Sequence, residues 1–323
     1  MLLNLYCYRE IDEICRCGKK KKVISMQEQQ VTYKQEKVKI IECPRDAMQG
    51  IKGFIPTEKK VKYLNALLEV GFDTIDFGSF VSSKAIPQLA DTPLVLSQLN
   101  WTPEGSKLLA IIANTRGALE ASMFDQISFL GFPFSVSETF QQRNTNASMK
   151  EALSRVAEIQ NICLKQNKRL IIYISMGFGN PYGDLWHPEI VMEWSEKMID
   201  MGISIISLAD TIGVARPETI VHLFKQLIPA FPETEFGAHF HTTPDSWQEK
   251  VSAAYNHGCR RFDGAIKGYG GCPMAADQLT GNMPTEKLMQ YFNELKVETG
   301  IETLAFDKAV SASGWVFDTV HGV

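Results

Sequence analysis

The sequence has 323 residues, 45% of them hydrophobic, and 33 Lys and Arg stand against 37 Asp and Glu, for a formal net charge of −4. This size suits one large globular domain, and α/β barrels commonly reach it as a single domain. The mildly acidic balance argues against a nucleic-acid-binding surface, and no apolar stretch approaches the ~18 residues of a membrane span.

The seven cysteines are scattered along the chain and odd in number, so we expect no disulfide framework and a reducing compartment, the cytoplasm. Residues 1–37 keep no helical or strand period, and they lack the cationic start and apolar run of a secretory signal. The acids Glu10, Asp12 and Glu13 argue against a mitochondrial presequence. The cysteines of this segment match no zinc-site spacing. We therefore expect a disordered extension or an upstream start codon.

From Val38 onward, short β-branched runs alternate with amphipathic stretches until about residue 296. Pro188 and Pro217 stand where a first helical turn begins, a position at which a missing N–H costs nothing. The runs predict eight strands: VKIIE (38–42), DTIDF (73–77), KLLAII (107–112), QISFL (126–130), RLIIYIS (169–175), SIISL (204–208), TEFGAHF (234–240) and RRFDGAI (260–266).

Eight strands that are each followed by a helix predict parallel strands joined by crossovers. An open doubly wound sheet also fits this alternation, but CPRDAMQG after the first strand lacks the glycine spacing of a dinucleotide-binding turn. We therefore predict an α/β fold, a (β/α)8 TIM barrel in one domain over residues 38–300. Residues 301–323 form a tail whose aromatic residues are expected to pack on the barrel or on the neighbouring subunit of a homodimer.

Polar residues gather where the predicted strands end, and in a (β/α)8 barrel the chemistry lies at those ends. His239 and His241 are two apart on strand seven, so their side chains point to the same side and can reach one ion. Asp46, after strand one, is available across the rim, and Asn282 can supply a further oxygen. Nitrogen and oxygen ligands without cysteine suit Mg²⁺ or Mn²⁺ better than a structural zinc.

Cys272 stands apart from the other thiols because it follows three nearby glycines in GYGGCP. Such a loop can fold tightly and close over a ligand, which would make the thiol a proton donor or nucleophile. A small buried hydrophobic residue is the commoner fate of a free cysteine, and the residues alone leave both interpretations open. Cys43, one residue after the first strand, is expected to serve packing.

Several motifs together resemble one enzyme family, in its order and near its spacings, over residues 38 to 300. They are PRDAMQ (44–49), FVSSKAIPQLAD (80–91), ADTIGVARP (209–217), HFH (239–241) and GYGGCPMA with the later GN (268–282). The sequence is similar to 3-hydroxy-3-methylglutaryl-CoA lyase. The Arg-Asp pair and HFH are shared by a wider superfamily of barrel metallolyases, whereas the loop ending in Cys272 and FVSSKAIPQ are specific to the lyases.

The resemblance implies a divalent cation, Mg²⁺ or Mn²⁺, and a small-molecule acyl-CoA substrate, with no nucleic-acid or membrane partner. The implied metal ligands are Asp46, His239, His241 and Asn282. Arg45 is implied to polarise the thioester carbonyl. The other implied catalytic residues are Asp76, which stands in place of a longer Glu, Asp210, His239 and Cys272, and the implied substrate contacts are Gln49, Lys52 and Ser79.

The sequence also departs from the family pattern. Thr242 follows the second histidine where the family has Asp, and the loss of such an outer carboxylate can cost ~10–100-fold in metal affinity or activity. Ala47 replaces the usual glycine after Asp46. The expected function is therefore cleavage of 3-hydroxy-3-methylglutaryl-CoA or a related 3-hydroxyacyl-CoA to acetyl-CoA and acetoacetate. The alternatives are an acetyl-CoA-condensing synthase or ketoacid aldolase of the superfamily, and a non-catalytic acyl-CoA-binding barrel.

Overall fold

Eight parallel strands close into a barrel in the computed structural model, which describes residues 37–51, 53–271 and 280–317. Each strand pairs with the next one along the chain, and the last pairs with the first, so the (β/α)8 barrel is confirmed. The strands are β1 (Lys39–Glu42), β2 (Thr74–Ser79), β3 (Lys107–Ile111), β4 (Ile127–Ser135), β5 (Arg169–Ser175), β6 (Ile205–Asp210), β7 (Glu235–Thr242) and β8 (Arg261–Gly264). A short further strand, β9 (Gly281–Asn282), runs antiparallel to β7.

Helices form the outer layer, and their starts follow from local sequence. Ser148 and Glu151 make a reciprocal capping box at the start of the longest helix, and Pro188 and Pro217 open two others, as predicted. The helices are α1 (Pro44–Gln49), α2 (Thr57–Leu68), α3 (Thr92–Leu96), α4 (Thr115–Ser122), α5 (Glu138–Thr145), α6 (Met149–Lys165), α7 (Pro188–Asp200), α8 (Pro217–Ala230), α9 (Trp247–Tyr255), α10 (Thr285–Glu294) and α11 (Thr303–Phe317).

The core has two parts because successive strand residues point to opposite faces. On β5, Ile172 and Ile174 pack outward against the helices, in the larger apolar cluster. Ile171 and Tyr173 point inward and join a smaller cluster inside the barrel. The interior is therefore filled by side chains, which leaves the carboxyl ends of the strands as the place where a ligand can enter.

The structure differs from the sequence prediction in local detail near those ends. Arg45 and Asp46 lie in the first turn of α1, not at the end of a strand. Asp76 lies inside β2, which continues to Ser79. Strands β4, β6 and β7 extend further than predicted, because their backbones continue to pair with the neighbouring strands beyond the apolar runs.

Residues 303–317 form α11, which packs against α2, with the Phe317 ring 5.9 Å from the ring of Tyr63. The expected boundary between barrel and tail near residue 300 stays a prediction. The expectation for residues 1–37 falls almost wholly outside the described residues. None of the described helices combines the length and apolar character needed to cross a bilayer.

Candidate active site

A cavity of about 430 Å³ opens at the carboxyl ends of the strands. One side of it is polar and includes Arg45, Asp46, His239 and His241. The apolar part of its lining includes Val81, Ala85, Ile86, Ile111, Ala113, Pro133 and Phe140. Such a cavity, with few convergent polar groups and an apolar wall, is typical of a small-molecule site.

Three side chains of the polar side could hold one metal ion. Ligand atoms of Asp46, His239 and His241 all lie within 4.8 Å of one another. The two histidines are interior residues of β7, and their ring centroids are 5.5 Å apart. Asp46 reaches them from α1, whose start brings its carboxylate over the barrel. The structure thus brings together three of the four predicted ligands around a common point.

Asn282, the fourth predicted ligand, stands beside them because β9 pairs with β7 in a register that opposes Asn282 to His241. Its Nδ2 donates to Asp46 Oδ2 at 2.8 Å and to the carbonyl oxygen of Tyr269 at 2.9 Å. These two contacts use both amide hydrogens, so the amide oxygen is the atom with which Asn282 could bind a cation. Two oxygens and two imidazole nitrogens fit a hard divalent cation such as Mg²⁺ or Mn²⁺.

The electrostatics of this group favour metal-binding protonation states. Burial would raise the pKa of Asp46, but Arg45, the two histidines and the hydrogen bond from Asn282 together hold the pKa below its usual value. Burial and the adjacent His239 lower the pKa of His241 to about 4. At neutral pH the aspartate is therefore ionised and His241 is neutral, which are the forms that bind metal ions.

Arg45 is fixed by acceptors on several sides. Its Nε and Nη2 donate to Asp76 Oδ2 at 3.0 and 2.6 Å. Its Nη1 donates to Asp46 Oδ1 at 3.0 Å and to Gln49 Oε1 at 2.8 Å. Burial raises the pKa of Asp76 to about 6 in spite of Arg45. The guanidinium is consequently held against the cavity wall in one orientation.

The predicted substrate contacts fall in different places. Gln49 lines the cavity and donates from Nε2 to Asp46 Oδ1 at 2.8 Å. Ser79 is buried at the end of β2, where its hydroxyl donates to the Ile111 carbonyl at 3.3 Å, and it is absent from the cavity wall. Lys52 and Cys272, the proposed mobile-loop thiol, lie outside the described residues.

The glycines before Cys272 lie close to the proposed metal ligands. Gly270 has φ +84°, and a Cβ there would lie 2.7 Å from the Cα of Ala47 and 2.9 Å from Nδ2 of Asn282. Both the left-handed backbone and the lack of space require glycine at this position. Gly270 therefore packs directly against Asp46 and Asn282, and Gly271 reaches the cavity itself.

Asp210 is placed differently from what the resemblance implies. It ends β6, but its Oδ2 accepts from Lys250 Nζ at 2.7 Å, and Asp210 does not line the cavity. Lys250, on α9, is also buried, and its Nζ donates to the carbonyl oxygens of His241 at 2.8 Å and Gly213 at 3.0 Å. Sequence reasoning missed Lys250, although its spacing of four residues from the buried Ala254 places it on the inner face of α9.

Asp263 was also missed, and it contacts a predicted ligand directly. Its Oδ2 lies 3.0 Å from Nδ1 of His239. Because a carboxylate only accepts, the shared proton belongs to His239 Nδ1, and Nε2 is left for a metal ion. Burial would lower the pKa of His239, but Asp263 outweighs it and raises the pKa. The sequence feature that could have identified Asp263 is an acidic residue inside the predicted strand RRFDGAI.

The barrel and the carboxylate–histidine group define a (β/α)8 enzyme with a site for a divalent metal ion. A family model described as HMGL-like matches residues 37–312, and the chain belongs to this family. It is 33% identical over 276 residues, 84% of this chain and 89% of the relative, to hydroxymethylglutaryl-CoA lyase YngG of Bacillus subtilis.

Two further matches are also to proteins named as lyases of this kind. A Pseudomonas aeruginosa protein named 3-hydroxy-3-isohexenylglutaryl-CoA/hydroxymethylglutaryl-CoA lyase is 31% identical over 268 residues, 83% of this chain and 88% of the relative. An HMG-CoA lyase structure from Acinetobacter baumannii, in complex with coenzyme A and 3-methylmalate, matches with a TM-score of 0.80 at 30% identity, covering 87% of this chain and 91% of that one. The predicted family, the barrel and the lyase class of enzyme are confirmed.

Proposed function

We propose that this enzyme cleaves 3-hydroxy-3-methylglutaryl-CoA to acetyl-CoA and acetoacetate in a metal-dependent reaction. The observation that carries the proposal is one cavity walled by the metal-ligand group and by the oriented guanidinium of Arg45. Relatives named as lyases of this substrate support it over the condensing synthase and the non-catalytic barrel.

Asp46, His239, His241 and Asn282 are the proposed ligands, and Mg²⁺ or Mn²⁺ is the proposed ion. When bound, such an ion supplies Lewis acidity to the substrate hydroxyl and a template for its oxygens. Asp46 is kept anionic beside Arg45, and His239 keeps its Nε2 available through the Asp263 contact. The protein groups thus present the donor set without a large rearrangement.

The bond changes define what the other residues must do. The C3 hydroxyl loses its proton, the C2–C3 bond breaks, and C3 becomes the ketone of acetoacetate. The electron pair moves to the thioester as an enolate, which is then protonated at C2. Arg45 faces the cavity and stabilises the enolate oxygen, and removal of such a donor typically costs about 10²–10³ in rate.

The remaining roles follow from position and from the family resemblance. Asp76 is buried behind Arg45 and aligns it. Gln49 lies beside Arg45 on the cavity wall as the proposed substrate contact. Cys272 is proposed as the acid that protonates C2. Asp210, paired with Lys250 behind the cavity wall, serves as a positioning residue. The homodimer and the cytoplasmic location stay predictions.

The apolar wall favours one extension of the substrate class, a 3-hydroxyacyl-CoA with a longer C3 substituent. Val81, Ile86 and Phe140 form part of the apolar lining. Burial of each methylene against such a wall contributes about 0.8 kcal/mol. One P. aeruginosa relative is named for both the isohexenyl and the methyl substrate. The assay should therefore use both acyl-CoA substrates.

The test is an acetoacetate assay of purified protein with 3-hydroxy-3-methylglutaryl-CoA and Mg²⁺ or Mn²⁺. We expect product that disappears with a chelator. His241→Ala should lose Mn²⁺ binding and turnover together, whereas His187→Ala, a change of the same kind at an exposed histidine, should keep both. Tight Mn²⁺ binding without product from either substrate contradicts the proposed reaction, and a fully active His241→Ala variant contradicts the ligand assignment.

A further inference from the structure

Two layers of interior side chains lie beneath the metal-ligand group. Strand register places Tyr173 beside Ser207, Ser207 beside Gly237, and Gly237 beside Arg261. Two residues further along, toward the cavity, the same register places His239 beside Asp263. Because side chains two apart on a strand share a face, these residues all point into the barrel, and the lower layer supports the upper one.

The lower layer has room for its arginine because position 237 carries no side chain. A Cβ on Gly237 would lie 3.1 Å from Cδ of Arg261 and 3.2 Å from Oγ of Ser207. The Arg261 side chain therefore folds across Gly237 toward Ser207. It is 1% exposed, and its one ion-pair contact among the described residues is to Asp73, at 3.6 Å from Nη1.

Five buried polar atoms in these two layers have no hydrogen-bond partner among the described protein groups. All four residues that carry them are less than 9% exposed. The atoms are Tyr173 Oη, Ser207 Oγ, Arg261 Nε and Nη2, and Asp263 Oδ1. A buried polar group without a partner destabilises the fold, because it has lost its hydrogen bonds to water without replacement. Such a cluster is stable only when something polar joins its members, and ordered water is the usual bridge in protein interiors.

The chemistry of the cluster matches water. Arg261 supplies donors, Asp263 Oδ1 supplies an acceptor, and the hydroxyls of Tyr173 and Ser207 supply both. A buried water typically makes about three hydrogen bonds, and these groups come from three strands, β5, β6 and β8, whose interior faces adjoin. Tyr173 also places the edge of its ring on His239, with centroids 5.7 Å apart, so the cluster touches the metal group from below.

We propose that Tyr173, Ser207, Arg261 and Asp263 form an internal hydration site that fixes the orientation of His239. Water bridges Arg261 and Tyr173 to Asp263 Oδ1, and the opposite oxygen of Asp263 then accepts from His239 Nδ1. The ring is thereby held with Nε2 toward the metal ion. The inference rests on the proposed metal site but not on the identity of the substrate. Asp263 and Tyr173 act as positioning residues.

The test compares Mn²⁺ dissociation constants of Asp263→Asn, Tyr173→Phe and the double variant. Loss of an outer-sphere partner typically weakens metal binding by about 10–100-fold, and we expect this for Asp263→Asn. Tyr173→Phe should weaken binding less, and it should have no further effect in the Asp263→Asn background, because groups that act through one partner are not additive. Tyr291→Phe, the same change on α10 outside the barrel interior, should leave the affinity unchanged.

The second readout is the ring nitrogen spectrum of ¹⁵N-histidine-labelled protein without metal, with His239 assigned by its own substitution. We expect a protonated Nδ1 in the parent protein and an altered tautomer in Asp263→Asn. An unchanged tautomer, a Tyr173→Phe affinity equal to that of Tyr291→Phe, or additive effects in the double variant each overturn the proposal. If Asp263→Asn does not fold, Tyr173→Phe against Tyr291→Phe decides the question. A failed lyase assay with these binding results intact counts against the proposed function alone.

Discussion

At the scale of single residues, the site depends on a carboxylate that sits behind a guanidinium. Asp76 receives two donors of Arg45, and burial raises the pKa of Asp76 to about 6. Above pH 6 the carboxylate is ionised and holds Arg45 toward the cavity. Below pH 6 the carboxylate takes up a proton, and its hydrogen-bonded ion pair with Arg45 weakens. The turnover rate should therefore fall at acidic pH as Asp76 becomes protonated.

We predict that kcat rises with pH through about 6 and that Asp76→Asn removes this limb. Because misplacement of a catalytic group by about 1 Å can cost on the order of 10²-fold, the variant should be slower by that order at pH 8. The measurement is kcat from pH 5 to 8, with the exposed Asp125→Asn as the matched control. An Asp76→Asn profile that keeps the parent acid limb contradicts the assignment.

The proximity of the proposed metal ligands is the part of the site that the sequence could predict. The spacing of His239 and His241 is fixed by strand geometry, so it needs no knowledge of the fold beyond one strand. Asp263 and Lys250 were missed for the opposite reason. Each acts on a histidine of β7 from a different element, and only the three-dimensional pairing of β7 with β8 and α9 brings them there.

At the scale of elements, α9 is joined to the barrel by one buried ammonium. Lys250 Nζ contacts Asp210 at the end of β6 and the carbonyl oxygens of Gly213 and His241. All three ammonium hydrogens are used. Burial raises the pKa of Asp210, and Lys250 opposes that rise. The helix thereby fixes the loop after β6 and the strand that carries the metal ligands.

Lys250→Met should be strongly destabilising, because it leaves the Asp210 charge buried without a partner. Breaking a buried pair in this way costs about 3–5 kcal/mol. Lys250→Met combined with Asp210→Asn should lose less than the sum of the single changes. Urea unfolding measures both, and Lys197→Met, which breaks a surface pair with Glu193, should change stability far less, because exposed ion pairs are screened by water. A Lys250→Met loss as small as that of Lys197→Met would falsify the structural role.

The order of elements was predictable, and their ends were not. Short β-branched runs located all eight strands, because the strands of a parallel barrel are buried on both faces and leave a strong apolar pattern. The short helix α1 was missed since PRDAMQ has only six residues, too few for a helical period to show. It nevertheless carries Arg45 and Asp46. Part of the candidate site thus lies on a short segment whose conformation is set by tertiary contacts rather than by a periodic pattern in its own sequence.

At the scale of the whole molecule, Glu42 joins the first strand to the last βα unit. Its Oε1 accepts from the Ile266 N–H at 2.8 Å, and its Oε2 accepts from the Thr285 hydroxyl at 2.6 Å. These two residues stand at the start and end of the segment that contains Cys272. Glu42 is 0% exposed, and burial raises its pKa to about 8. Closure of the barrel and anchoring of this segment therefore share one carboxyl group.

The raised pKa makes global stability depend on pH. The folded protein binds the Glu42 proton more tightly than the unfolded chain, whose glutamate has a pKa near 4.5. Its contribution to stability is thus full below about pH 4.5 and is lost as pH rises through about 8. One pKa unit corresponds to about 1.4 kcal/mol, so the decline between pH 5 and 8 should be a few kcal/mol.

Glu42→Gln replaces this carboxyl with a neutral group of the same shape and should flatten that part of the stability profile. The amide oxygen can still accept from the Ile266 N–H, and its NH₂ can donate to the Thr285 hydroxyl. The measurement is the free energy of unfolding from urea titrations at pH 5, 6.5 and 8. The control is Glu294→Gln, the same change at an exposed position on α10. We expect the variant to gain on the parent protein steadily from pH 5 to 8 while the control runs parallel to it. A Glu42→Gln profile parallel to the parent would mean that Glu42 is ionised in the folded barrel throughout this range.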